Sequence, residues 1–373
     1  MDFGFSDEQE QLRASVRDFL AAEAPASFAR AMMDSDLGMT DASWQAIAGL
    51  GWLGLTVPEQ HGGSGLGILE LAIVMEEMGE VVYPGPFMAT VCLGVPAMLA
   101  VADEAQQGAV LPQVAAGSHR LTAAVAETRG SWHVDGLDGR ATATADGYEL
   151  NATKLFVPDA RSADSLIVVI RLEDALGFFR VGADAPGVTV TPMQTVDRTR
   201  KLDVVELAGV RVEAGDLLGG RPVAPTTLDD LADVAKTAAA AELCGIADAA
   251  LTMTVEYVKI REQFGRAIAT FQAIQHKLAD MKVLLENARS LTYYAAWALD
   301  TGADDRRLAA AMAKAYASDA CTRVATEAIQ AHGGIGFTWE HDLHLYLKRA
   351  KAAEVTYGDA TENRELVAQL LEL

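Results

Sequence analysis

In the second half of the chain, Arg261-Glu262-Gln263-Phe264-Gly265 gathers the groups that can hold a phosphorylated aromatic ligand. Arginine carries a planar fork of five N–H donors, suited to clamping a pyrophosphate. Gln263 can donate to phosphate or ribose oxygens. Phe264 offers an apolar face to an aromatic ring. Further on, the run Gln330-Ala331-His332-Gly333-Gly334-Ile335-Gly336-Phe337 closes on glycines. Glycines let backbone approach a ligand closely and expose N–H groups to it. Gln330 stands one helical turn before them. On residue types alone, a solvated Arg261, a core Phe264 and an ordinary helix–helix turn at the glycines remain open alternatives.

Helices must position these groups. From Thr227 to the end the pattern is helical: Leu228 to Lys259, Phe271 to Trp297 and Ala309 to His332 are long and alanine-rich. Such faces suit close helix–helix packing, and some are expected to be shared with another subunit. Residues 119–220 read differently. Short β-branched runs at Val125–Glu127, Ala141–Thr144, Tyr148–Asn151, Lys154–Val157, Leu166–Ile170, Phe178–Val181, Val188–Val190, Leu202–Leu207 and Gly209–Val212 predict a compact antiparallel, barrel-like β domain. Residues 1–118 are helical again, opening with Ser6 as N-cap before Asp7, Glu8 and Gln9. The expected organisation is α+β: an N-terminal helical domain (1–118), a middle β domain (119–220) and a C-terminal helical bundle (221–373).

The formal charge of −22 over 373 residues argues against a nucleic-acid partner, which wants a Lys/Arg field. A local cationic cluster can still bind one pyrophosphate. The three cysteines, Cys92, Cys244 and Cys321, have no short spacing. That fits a reducing cytosol without a disulfide framework or zinc knuckle. His341 and His344 lack a third ligand at zinc-like spacing and read as structural or interfacial. From the acidic Met1-Asp2-Phe3 start no apolar leader is expected. Charges interrupt the apolar helical stretches, so no membrane span is expected. No GxGxxG after a strand and no Walker A loop is present, which disfavours a Rossmann flavoprotein or a nucleotidase.

Taken together, the motifs resemble the acyl-CoA dehydrogenase family over essentially the whole chain. The likeness also includes Gly51-Trp52-Leu53-Gly54-Leu55, Pro58-Glu59-Gln60-His61-Gly62-Gly63 and Glu76-Glu77-Met78-Gly79. The resemblance implies FAD as cofactor, held at its adenosine diphosphate end by Arg261, Gln263, Phe264, Ile268 and Phe271 of one subunit. Gln330, Gly333 and Gly334 of a neighbour complete that site. It implies an acyl-CoA substrate and electron-transfer flavoprotein or a similar acceptor.

The family's reaction needs a carboxylate base close to the substrate Cα, at one of two positions. One is filled here by Tyr357, followed by Gly358; the other, counted back from Arg261, is Ala235, beside Lys236. Tyrosine, with a reference pKa of about 10, is a poor substitute. Glu242 shares a helix face with Ala235 and lies in an alanine run where burial would raise its pKa. Asp233 and Glu354 are further candidates. A salt bridge or a solvated position is the alternative for all three, and no catalytic residue is assigned. The flavin-ring side departs too. The family's Thr-Glu-Pro and Gly-Ser-Asp become Ala126-Glu127-Thr128-Arg129-Gly130 and Ser131-Trp132-His133. Its Lys-x-Trp-Ile-Thr-Asn-Ala becomes Lys154-Leu155-Phe156-Val157-Pro158-Asp159-Ala160. Phe156 can still cover a flavin face, whereas Pro158 removes a donor and a hydroxyl. Asp359 replaces a flavin-contacting threonine.

This split most resembles the smaller, base-less subunit of actinobacterial heterotetrameric steroid side-chain acyl-CoA dehydrogenases. The run Phe337-Thr338-Trp339-Glu340-His341-Asp342 is typical of that branch. The implied partner is a longer homologous subunit that supplies the base. The alternatives are a self-sufficient homotetramer using Glu242, or a flavin-binding scaffold that does not dehydrogenate.

Overall fold

Ser6 opens the first helix as its position predicts. Its Oγ accepts the Gln9 N–H at 3.2 Å, while Gln9 Oε1 accepts the Ser6 N–H at 2.9 Å. The structure, a computed structural model, describes residues 4–373. The reading of Met1-Asp2-Phe3 lies outside the described residues. Among those described, the helices run in chain order α1 (Asp7–Glu23), α2 (Ala26–Asp34), α3 (Asp41–Gly49), α4 (Ile68–Glu80), α5 (Val95–Val101), α6 (Glu104–Ala115), α7 (Thr226–Ile260), α8 (Gln272–Asp300), α9 (Arg306–His332), α10 (Leu343–Val355) and α11 (Ala360–Leu370). The strands are β1 (Leu121–Ala124), β2 (Arg140–Ala143), β3 (Gly147–Pro158), β4 (Ser165–Leu172), β5 (Ala175–Gly182), β6 (Val188–Pro192), β7 (Leu202–Glu213), β8 (Glu262–Gln263) and β9 (Arg266–Ala267). The chain gathers into two units. One combines the start of the chain up to Ala31 with Ile68–Tyr83 and Lys236–Leu373; the other combines Met32–Gly67 with Pro84–Ala235.

The first unit is helical, with α9 packed by α8, α10 and α11. Small residues bring its backbones together: Ala309, Ala310, Ala313, Ala317 and Ala325 of α9 are all buried. Helices α4 and α7 cross so closely that a methyl group at Gly245 would strike the Glu76 carbonyl, and one at Gly79 that of Glu242. That explains a glycine inside an otherwise alanine-rich helix. Charges buried here are paired, as burial demands. Glu76 meets Arg289 at 2.5 Å, Arg13 at 3.4 Å and the Tyr293 hydroxyl, and Arg289 reaches on to Asp248 at 2.8 Å.

The second unit holds the sheet, ordered β1-β4-β2-β3-β7-β6 with β5 on β4. Its core includes Leu150, Leu166, Val168, Ile170, Phe179, Val205 and Val210. Most pairs are antiparallel, but β4 runs parallel to β2, at Arg140 opposite Arg171, and to β1, from Leu121 opposite Ser165 to Ala124 opposite Val168. The chain reaches β4 only after passing through β2 and β3, so β1 and β4 meet in one direction. Two expected breaks are absent. Tyr148–Asn151 and Lys154–Val157 join in β3, because bulges between Leu150 and Ala152 and between Lys154 and Val157 bend the strand without ending it. Leu202–Leu207 and Gly209–Val212 likewise form one strand, β7. Val125–Glu127 is no strand, since Glu127 turns inward to an ion pair.

By length and apolarity α7 could cross a membrane, and charge spacing did not foresee that. Yet 72% of its most apolar window is buried within the protein, the mark of a core helix.

Candidate functional site

Past Ile260 the chain turns through the β8–β9 hairpin, with Phe264 (φ 56°) and Gly265 (φ 78°) at its tip. Two positive φ values match the twist of a tight hairpin turn. Glycine accepts this freely, whereas a bulky Phe264 is strained there. Phe264 is nevertheless 93% exposed and Ile260 80%. Arg261 and Gln263 are exposed as well. Ile268 and Phe271 form the half-buried base. The Ile268 N–H donates to the Arg261 carbonyl at 2.8 Å. Phe271 meets the Phe264 ring edge-on at 6.1 Å and carries the Arg266 guanidinium 4.1 Å above its ring.

The second motif ends α9 beside this hairpin. Tyr257, one turn before Arg261, stacks on His332 at 4.3 Å and donates to the His332 carbonyl at 3.3 Å. Gln330 is exposed. Gly333 has φ 63° and ψ −141°, and the space where a Cβ would stand is empty at both Gly333 and Gly334. Ile335, Phe337 (71%) and Trp339 (55%) are exposed around them. One end of the helical unit therefore presents an arginine fork, a glutamine, an aromatic ring, two bare glycines and an uncovered apolar rim. These groups suit the adenosine diphosphate half of FAD, the hairpin as one subunit's share of such a site and the end of α9 as a neighbour's. The hairpin strain and the empty glycine cradle are the observations that favour a ligand there over a plain turn.

The turn between α10 and α11 is the opposite kind of place. Tyr357 (φ 60°) is 8% exposed and Gly358 has φ 90°. Beneath them the Lys314 ammonium donates to Ser318 Oγ at 2.8 Å, the Glu354 carbonyl at 2.9 Å and the Gly358 carbonyl at 3.0 Å. Burial, with Lys236 adding repulsion, pushes Lys314 down to about 7. Asp359 spends its carboxylate on the N-cap of α11, accepting the Glu362 N–H at 2.8 Å.

Two of the candidate bases, Glu242 and Glu354, are engaged in ion pairs. Glu242 meets Arg349 at 2.6 Å, with both side chains shut off from solvent. A carboxylate committed to a core arginine gives a substrate Cα no approach. Glu354 pairs with Lys351 at 2.9 Å. Asp233 and Ala235 are buried on α7. His344 stacks on Trp339 at 4.7 Å and His341 stands edge-on to His332 at 4.8 Å.

The sequence reading missed one charged pair in the sheet unit. Lys154 is fully buried and donates to Glu127 Oε1 at 2.6 Å, the Val169 carbonyl at 2.6 Å and the Val125 carbonyl at 3.1 Å. Burial pushes Lys154 down to about 8, against the pull of Glu127. Burial works to raise the Glu127 carboxyl, but Lys154 and two backbone N–H groups outweigh it and hold it low. Those N–H groups, of Asp138 and Gly139, donate to Glu127 Oε2 at 2.6 and 2.9 Å. Glu127 thus closes the loop that carries Arg129 to His133. Next to Lys154, Phe156 is 48% exposed at φ 55°. A cation and an anion set among apolar strand residues were the available signal. Pro158 keeps its carbonyl in use, as acceptor for Thr122 Oγ1 at 2.6 Å.

Residues 6–118 match the acyl-CoA dehydrogenase N-terminal domain, and residues 227–371 match the acyl-CoA dehydrogenase C-terminal domain. The acyl-CoA dehydrogenase IpdE2 of Mycolicibacterium smegmatis is 31% identical, covering 98% of this chain and 99% of that protein. A variant of the Tcur3481–Tcur3483 steroid ACAD is similar in structure, with a TM-score of 0.87, 33% identity and 98% of each chain covered. The ChsE4–ChsE5 complex of Mycobacterium tuberculosis is similar as well, at a TM-score of 0.91 and 27% identity, covering 100% of this chain and 99% of that one.

Proposed function

The chain belongs to the acyl-CoA dehydrogenase family, and within it we propose that it is the base-less subunit of a heteromeric dehydrogenase that acts on a bulky, steroid side-chain acyl-CoA. FAD is the family's cofactor, and Arg261, Gln263 and Phe264 of one subunit, with Gln330, Gly333 and Gly334 of a neighbour, would hold its adenosine diphosphate end. In the family's reaction a carboxylate removes the α proton of the thioester as hydride leaves Cβ for bound FAD.

The observation that carries the proposal is a mismatch inside one chain. The groups proposed for both shares of the nucleotide end are present and exposed, yet both positions for the base lack a carboxylate, at Tyr357 and Ala235. The chain's own contribution is to bind and orient the cofactor, and a longer homologous subunit contributes the base. The uncovered rim of Ile260, Phe264, Phe337 and Trp339 is the face expected to meet that subunit. The steroid substrate is supported by the similarity to a steroid ACAD. A reducing cytosol and electron-transfer flavoprotein as acceptor complete the proposal.

Co-expression with the longer subunit tests it. Turnover with a steroid side-chain acyl-CoA is expected from the co-purified complex and not from this chain alone. Glu242→Gln should leave turnover per bound FAD within a few-fold, whereas an essential general base contributes about 10²–10⁴-fold. Full turnover by the isolated chain, or a thousand-fold loss in Glu242→Gln with FAD content intact, would defeat the proposal. Undiminished dehydrogenation after removal of this chain from the complex would leave it a scaffold.

A further inference from the structure

A second concentration of cations lies in the sheet unit, on residues apart from those proposed to hold FAD. A cavity of about 490 Å³ is lined by Arg161, Arg198, Arg200 and Lys201, with Asp34 and Asp36 among its other lining residues. On a chain of formal charge −22 this is a local excess of positive charge. We propose that the cavity is an anion site for a phosphorylated small molecule, with Arg161, Arg198 and Arg200 as its phosphate ligands.

The loop that carries these groups is held in shape by its own buried residues. Asp197 and Thr199 are 4% and 1% exposed. Thr195 Oγ1 donates to the Asp197 carbonyl at 2.6 Å, and the Thr199 N–H donates to Asp197 Oδ1 at 2.9 Å. Arg198 and Arg200 alternate with these inward residues along the loop. Their positions are thus set before any ligand arrives, which lowers the entropy lost on binding. Lys201 is anchored by donating to the Met33 carbonyl at 2.9 Å. Burial, then repulsion from Arg161 and Arg198, lowers its pKa, so the cations act on one another here.

The bland reading is that these cations only neutralise nearby aspartates. Two contacts argue for more. Arg161 spends its Nε and its backbone N–H on the buried Asp203, at 2.7 and 3.1 Å, and keeps its terminal nitrogens for a further acceptor. Arg198 meets Asp34 at 2.7 Å, but both side chains are more than half exposed. A pair of that kind is worth little, so a phosphate can displace the carboxylate. Arginine forks suit phosphate geometry. The volume lies in the range of small-molecule sites rather than that of a bare ion, and Met33, Met193 and Leu202 give it an apolar wall for a carbon skeleton.

Titration calorimetry of the FAD-loaded, co-purified protein with inorganic pyrophosphate tests the site. Binding is expected to weaken roughly tenfold or more in Arg198→Ala/Arg200→Ala. It should tighten a few-fold in Asp34→Asn, where the competing carboxylate is gone. FAD content and thermal midpoint should hold in both variants, which separates this site from the FAD clamp and from misfolding. Adenosine diphosphate binding better than pyrophosphate, with the same loss in the double variant, would support the site with a nucleotide as its source. Equal binding would support it with a non-nucleotide phosphate ester. No binding at millimolar pyrophosphate would overturn the proposal. So would equal affinity in the double variant, weaker binding in Asp34→Asn, or loss of pyrophosphate binding in Arg261→Ala.

Discussion

The hairpin at Arg261 and the turn at Tyr357 belong to the same helical unit and treat charge in opposite ways. At the hairpin, Arg261 and Gln263 face solvent and a phenylalanine is 93% exposed at a strained φ. Around the turn, Glu242, Arg349 and Lys314 are buried, and each has its partner within 3 Å. Strain and exposure together mark groups set out for a ligand or another chain. Buried, paired charge marks structure. Around Tyr357 the buried charges hold the helices of this unit together.

The largest effect should come from breaking the interior. Arg349→Met leaves the Glu242 carboxylate buried without its cation, which costs about 3–5 kcal/mol. Urea unfolding of the assembled protein measures it. A loss under about 1 kcal/mol, typical of an exposed pair, would return Glu242 to the list of candidate bases. Next comes the exposed end. Arg261→Ala should weaken FAD binding by roughly 2–4 kcal/mol, seen as a rise in dissociation constant with an unchanged fold. Unchanged flavin affinity would remove Arg261 from the site and erase the contrast.

A third effect separates the regions by pH. Lys314 is pushed down from its ordinary 10.5 to about 7. Between these values the unfolded chain holds a proton that the folded one lacks, so this group makes stability rise with pH over that interval. The slope is at most about 1.4 kcal/mol per pH unit, and below about 7 the contribution is flat. Lys314→Met should flatten the profile; an unaltered slope would mean that the ammonium is not the titrating group. The smallest effect is expected at Asp359. Asp359→Ala should cost about 1 kcal/mol as a lost N-cap and leave FAD content alone. Lost flavin without lost stability would make Asp359 a cofactor contact.

Much of this was legible from residue spacing. The long helices, the Ser6 cap, the Arg261 turn and the glycines that end α9 are local patterns, and local patterns survive folding. The roles of single charges are not local. Glu242 in an alanine run reads equally as a poised base or a core ion pair, and its partner Arg349 lies 107 residues away. Lys154 and Glu127 look like motif letters until β3 and β4 enclose them. The bulges that keep β3 whole leave no signature in composition. The parallel β1–β4 pair depends on where the chain returns, which the period of a strand cannot tell.

The crossing of α4 and α7 has a consequence for how the chain is made. Gly79 and Gly245 let the two backbones touch, and Glu76 of α4 waits for Arg289, 213 residues downstream. During synthesis α4 and α1 emerge first, with their acidic and apolar faces uncovered. They can pair with each other through Arg13 and Glu76, but the faces that meet α7 and α8 stay open until those helices have left the ribosome. Contacts this distant along the chain are slow to form and leave early segments open to association meanwhile. The amino-terminal helices are therefore the part of this molecule with most to gain from a chaperone.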